Sequence, residues 1–198
     1  MVPHIDLWAV ENACLQARRW LDVGVLEQDG FVSVNLSGRT LDRDDTADRV
    51  LRAMETARVE PSRLQLEITE TALVERTDVA NATLLRLRSA GARVAIDDFG
   101  SGYCSLAYLQ RLPVDALKLD RSLLRGRSAG DGSSGLLEGV MALARCMNLP
   151  VTIEGVETGG DMAFLDQVRA GFVQGFAFAP PLDELAAAAY SGRGPVTA

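Results

Sequence analysis

Six short apolar runs recur along the chain, and each delivers a chelating or ionisable side chain at or near its end. They are SVNLS (Asn35), LQLEIT (Glu67), VAIDD (Asp97 and Asp98), LKLD (Lys118), VTIEGV (Glu154) and FVQGF (Gln174). Runs of this length rich in Val, Ile and Leu predict buried strands, and the stretches between them carry helical periodicity. Leu7, Val10, Cys14, Ala17 and Leu21 keep helical spacing and predict a helix over 6–21, with Asp6 placed to cap it and His4 ahead of it. An acid-rich polar helix follows near 44–57, and a third runs from Asp78 to Ala90 and stops at Gly91, a residue suited to the C′ position. The phrase returns as Arg169-Ala170-Gly171 before FVQGF, and Pro113 and Pro150 punctuate strand entries. Strands alternating with helices predict the α/β class with a parallel sheet. In a closed β/α barrel the C-terminal strand ends share one mouth, so polar residues that interrupt apolar strands there read as site rather than core. GRSAGDGSSG, residues 126–135, reads as a surface loop, and the tail from Ser191 has no apolar periodicity.

Side-chain alternation sharpens the chemistry, because residues two apart on a strand share a face. Glu67 then faces the way Gln65 does, and Lys118 the way Asp120 does. Burying such a lysine and aspartate is costly unless they are paired or hydrated, so a structural Lys118–Asp120 ion pair stands beside a catalytic reading. Asn35 alone reads as readily as a turn residue, and Glu67 with Glu70 as a strand-end carboxylate followed by a helix N-terminal one. DDFGSGY is more specific. Two adjacent aspartates close an apolar strand and are followed by Gly100 and Gly102, a metal-binding strand end that leads into a loop. Oxygen donors dominate the whole set, which points to hard divalent cations, magnesium or manganese.

Composition bounds these readings. With 198 residues and 47% hydrophobic content, one well-buried domain is expected. No stretch approaches the roughly 20 apolar residues of a membrane span. The opening MVPHIDLWAV lacks the basic and unbroken apolar regions of a secretory signal, which points to the cytosol. Cys14, Cys104 and Cys146 are odd in number and far apart, as suits reduced thiols. His4 is the single histidine, which sets aside a histidine-based site and leaves Cys104 with no base to activate it. A net charge of −7 without a basic run argues against a nucleic-acid surface, and an anionic substrate would need bound metal to offset the acidic rim.

VNLSG, LEITET, IDDFGSGYCSL, LPVDALKLDRS, IEGVET and VQGF, in that order, resemble the EAL family of cyclic di-GMP phosphodiesterases, from the DLWAVENAC helix to the APPL turn. The resemblance implies a modified TIM barrel that hydrolyses cyclic di-GMP to linear pGpG with two divalent cations, magnesium or manganese, typically as a dimer. By position it implies Asn35, Glu67, Asp97, Asp98 and Glu154 as metal ligands. It also implies Lys118 as the lysine at the attacking water, Asp120 and Glu157 as its supporting carboxylates, and Glu154 among the catalytic group. Gln174, Ser37 and Gly155 become substrate-binding residues. Glu70 resembles the glutamate that steadies the loop after the paired aspartates, and Cys104 stands where that loop commonly has a hydroxyl residue.

The sequence contains no Glu-Ala-Leu segment, which in the family supplies one more metal ligand. The expectation is therefore an EAL-type barrel over residues 1–190, truncated at its N-terminus to about six of eight strands, with a flexible tail over 191–198. Such an open barrel is expected to self-associate or to take a partner segment, and to turn substrate over poorly. The alternative is an inactive regulatory module that binds cyclic di-GMP or a protein. A metal-dependent aldolase or lyase has only generic carboxylate and lysine placement behind it.

Overall fold

The computed structural model describes residues 1–27, 29–74, 77–100, 109–125, 133–168 and 171–190. The six apolar runs fold as parallel strands: β1 Val32–Asn35, β2 Leu64–Thr69, β3 Arg93–Phe99, β4 Ala116–Leu119, β5 Val151–Ile153 and β6 Phe172–Val173. Their order in the sheet is their order in the chain. The helices are α1 Val2–Asp22, α2 Gly38–Leu41, α3 Thr46–Ala57, α4 Glu70–Val74, α5 Asp78–Ser89, α6 Ser122–Arg125, α7 Ser133–Cys146, α8 Gly159–Val168 and α9 Glu184–Ala189. Among the described residues, six parallel strands in chain order, with helices between most of them, match the succession of a TIM-like β/α barrel.

The described residues fall into two compact units, one holding residues 1–97 and 109–115, the other 98–100 and 116–190. In the first, α1 buries Leu7, Val10, Cys14 and Ala17, and α3 buries Val50, Met54 and Ala57. Leu64, Leu66 and Ile68 of β2 are fully buried, alternating with Gln65 and Glu67 on the opposite face. Leu66 is the register partner of Val94 on β3, so the apolar layer continues across the pair. In the second unit Leu117 and Leu119 of β4 and Ile153 of β5 are fully buried, and Leu137, Met141 and Ala144 give α7 an apolar face at helical spacing. Among the described residues, no helix is long and apolar enough to cross a membrane.

Several boundaries differ from the sequence reading. α1 starts at Val2, because Pro3 in its first turn lacks an N–H and has a preset φ that suits a helix start. His4 and Asp6 therefore lie inside the helix, and Asp6 does not cap it. α2 is one turn long, too short for a hydrophobic period to reveal. Residues 133–135, read as loop, belong to α7. The rest of that loop, Arg169-Ala170, Cys104 and the tail from Ser191 lie outside the described residues. Gly91 does take the left-handed conformation expected after α5, with φ 101° and its N–H donated to the Arg88 carbonyl.

Cys14 and Cys146 are free thiols of opposite character, one buried and one exposed. Burial pushes the Cys14 thiol up to about 11, with Glu11 adding to the shift. The thiolate is the nucleophile, so iodoacetamide at about pH 8 is expected to label Cys146 in the native protein and to spare Cys14. Peptide mass mapping with equal labelling of the two would refute this burial.

Candidate functional site

In the first unit the register decides which polar groups share a face. Asn35, the last residue of β1, is the Cα partner of Glu67 on β2, and Asp97 is the partner of Thr69, two residues further along. Partners in a pleated sheet point to the same side, so Asn35, Glu67 and Asp97 line one face. Pairing continues one residue past the strand, where the Leu36 N–H donates to the Glu67 carbonyl at 2.8 Å. Glu67 is 7% exposed, low for a carboxylate, whereas Asn35 is exposed. Gln65, on the same face, donates to the Ser33 hydroxyl at 3.1 Å. Glu70 begins α4 and is buried.

Ser37 serves as the N-cap of α2, accepting from the Thr40 N–H. Its own N–H and hydroxyl both donate to Asp6 Oδ2, at 2.9 and 2.6 Å, so the hydroxyl proton is committed within the fold.

The end of β3 breaks the rule of alternation. Asp98 has φ 54°, a left-handed conformation that Asp tolerates better than most residues. The alternation of a regular strand, which sends consecutive side chains to opposite faces, stops at this residue.

In the second unit the register pairs Lys118 with Thr152. Glu154, two residues beyond Thr152, donates its N–H to the Leu119 carbonyl at 3.1 Å and so stays alongside β4. The Lys118 ammonium lies 2.5 Å from Glu154 Oε1, with side chains 7% and 23% exposed. A lysine this buried needs an opposite charge, and Glu154 supplies it. Asp98 and Glu154 offer oxygens within 4.8 Å of one another. Oxygens on one octahedral cation with bonds of about 2.1 Å lie at most about 4.2 Å apart, so a small rotamer adjustment would let the two carboxylates share an ion.

Asp120 does not join that pair. β4 ends at Leu119, alternation stops applying there, and the Asp120 carboxylate turns to accept the Ser122 N–H at 2.8 Å. Hydrogen bonds from Ser122, hydroxyl first and then N–H, hold its carboxyl below the usual carboxylate range. The ion pair formed by Lys118 is thus with Glu154, on the neighbouring strand's end, rather than with Asp120. Glu157 is exposed, 3.5 Å from the Arg121 guanidinium. Gly155 has φ 69°, and a Cβ there would sit 2.3 Å from the Arg121 Cβ, so only glycine fits. Gln174 follows β6, with its N–H donated to the Ile153 carbonyl at 2.9 Å, its carbonyl accepting the Val156 N–H at 3.1 Å, and its side chain exposed.

Asn35 offers an amide oxygen, and Glu67, Asp97, Asp98 and Glu154 offer carboxylate oxygens, donors that suit a hard divalent cation rather than a soft one. Two features of the site had no sequence signal: the left-handed Asp98, and Asp6, whose partners lie 31 and 34 residues away.

The EAL domain family matches residues 1–181 of this chain. A curated relative, the cyclic di-GMP phosphodiesterase NbdA of Pseudomonas aeruginosa, is 39% identical over 182 residues, 92% of this chain and 23% of that protein. The crystal structure of the EAL domain of Mycobacterium smegmatis DcpA superposes with a TM-score of 0.89 at 30% identity, covering 100% of this chain and 88% of that one. Klebsiella pneumoniae BlrP1, in a manganese and cyclic di-GMP complex, matches with a TM-score of 0.80 at 29% identity, covering 90% and 45%. The chain spans about a quarter of the length of the curated relatives it matches. With its strand order, its acidic strand ends and these similarities in agreement, the chain belongs to the EAL domain family.

Proposed function

We propose that this chain is a cyclic di-GMP phosphodiesterase domain that opens the cyclic dinucleotide to linear pGpG with two divalent cations, magnesium or manganese. Asn35, Glu67, Asp97, Asp98 and Glu154 hold the ions. The observation that carries the reading is Lys118, buried against Glu154 while Glu154 also faces the Asp98 carboxylate. An ammonium kept among carboxylates at strand ends is poorly explained by packing alone and well suited to a hydrolytic site. The names of NbdA and of the BlrP1 complex support the same substrate and the use of a divalent ion.

When bound, the cations offset the phosphodiester charge and make water a stronger nucleophile. The side chains do the rest. Lys118 stays charged and donates hydrogen bonds that orient the attacking water, with Asp120 and Glu157 as supporting carboxylates and Glu154 fixing the ammonium. Gln174, Gly155 and Ser37 take part in substrate binding. Glu70 and Cys104 steady the loop after β3. In the cell the domain works in the cytoplasm, as a homo-oligomer or with a segment that completes the barrel. Residues 1–198 alone turn over slowly, since this sequence has no Glu-Ala-Leu segment to supply a further carboxylate. A domain that binds the dinucleotide without hydrolysing it is the second reading.

Residues 1–198, and the same residues fused behind a Glu-Ala-Leu-containing segment of a relative, separate the two. With manganese and cyclic di-GMP the fusion is expected to form pGpG, to stop on chelation, to resume on re-addition, and to melt higher than the shorter chain. Light scattering on the shorter chain is expected to find self-association. Dinucleotide binding without product in either protein would favour the second reading, and neither binding nor product would sink both.

A further inference from the structure

Asp6 sits on α1 and receives three hydrogen bonds on one oxygen, from the Ser37 N–H, the Ser37 hydroxyl and the Thr40 hydroxyl. None of these partners is near it in sequence, and none belongs to its own helix. Ser37 closes the turn that follows Asn35, with only Leu36 between them, and Thr40 lies in α2 just behind it. Two anchors thus bracket that turn: the Leu36 N–H held by the Glu67 carbonyl, and Ser37 held by Asp6.

We propose that Asp6 is a positioning residue for Asn35, locking the β1–α2 turn so that the Asn35 amide is presented beside Glu67. The proposal rests on the reading of Asn35 as a cation ligand. Asn35 ends a four-residue strand and is exposed, so packing does little to fix it. A charged acceptor with three donors is a firmer tether than a neutral hydrogen bond. Freedom removed from the turn before an ion arrives need not be removed when it binds. The three donors converge on an acceptor; replacing Asp6 with Asn weakens that acceptor and sets an amide against them, while its size is kept.

The test uses residues 1–198 as wild type, Asp6→Asn, Asp6→Glu, Asn35→Ala and Leu7→Ala, the last a core truncation on the same helix that touches no turn hydrogen bond. Amide exchange and the Asn35 side-chain amide resonances are followed without metal, and manganese affinity is measured by calorimetry. Asp6→Asn is expected to speed exchange at Ser37 roughly tenfold, as loss of one charged hydrogen bond allows, to shift or multiply the Asn35 amide signals, and to weaken manganese binding. Leu7→Ala is expected to lower the melting temperature yet keep the Asn35 signals, and Asp6→Glu to recover part of the loss. Unchanged Asn35 signals and Ser37 exchange in Asp6→Asn would overturn the proposal. If Asp6→Asn disturbs Asn35 while the wild type and Asn35→Ala bind manganese equally, positioning stands and the assignment of Asn35 as a ligand fails.

Discussion

Lys118→Met is expected to remove turnover while leaving cyclic dinucleotide binding little changed. Methionine matches the length of the lysine stem and keeps the apolar contacts of β4, where Lys118 is 6% exposed between the fully buried Leu117 and Leu119. What it removes is the ammonium beside Glu154. Loss of a positioned group that acts on the water costs about 10²–10⁴-fold in rate, and a group acting only in the transition state lowers kcat with little change in binding. Single-turnover kinetics in the Glu-Ala-Leu fusion, with calorimetric binding in calcium, check both halves. Equal loss of binding and rate would make Lys118 a folding or binding residue. Glu154, at 23% side-chain exposure, can be rehydrated after the exchange, so the melting temperature is expected to fall only slightly.

Gly175→Ala is expected to give a large loss of stability in the second unit. A Cβ at this position would lie 2.2 Å from the Val156 carbonyl oxygen and 2.4 Å from its nitrogen, both backbone atoms. Val156 cannot withdraw easily. Its N–H donates to the Gln174 carbonyl, its own carbonyl accepts from Ala177, and its side chain is fully buried. Overpacking of this kind costs about 3 kcal/mol or more when the obstacle is backbone. Gly159→Ala is the control, since nothing lies within 4 Å of a Cβ there and its φ needs no glycine. Urea unfolding that found Gly175→Ala within about 0.5 kcal/mol of the parent, the range of ordinary surface substitutions, would mean that the chain after β6 is free to shift.

The strands were legible because each is a short apolar run, and the LQLEIT run coincides with β2 at Leu64–Thr69. The site was legible where a polar residue interrupts such a run, as at Glu67, Asp97 and Lys118. It was less legible where a strand stops. Alternation placed Lys118 and Asp120 together, but β4 ends at Leu119 and the chain turns, so Asp120 accepts the Ser122 N–H and Glu154 takes the lysine. Alternation also assumes a regular strand through Asp98, and the left-handed dihedral there departs from it. Asp6 illustrates a third cause. An aspartate at the edge of an apolar period reads as a cap, and nothing local distinguishes a cap from an acceptor for donors 31 residues away.

The Lys118–Glu154 pair has a consequence for the order of events in the life of this domain. An acidic cavity with no resident cation must wait for a metal before its carboxylates can be drawn together, and folding and ion uptake then become one equilibrium. Here the Lys118 ammonium already sits beside Glu154, so that carboxylate has a countercharge before any ion arrives. On the reading of these carboxylates as cation ligands, metal loading would then be an event separate from folding.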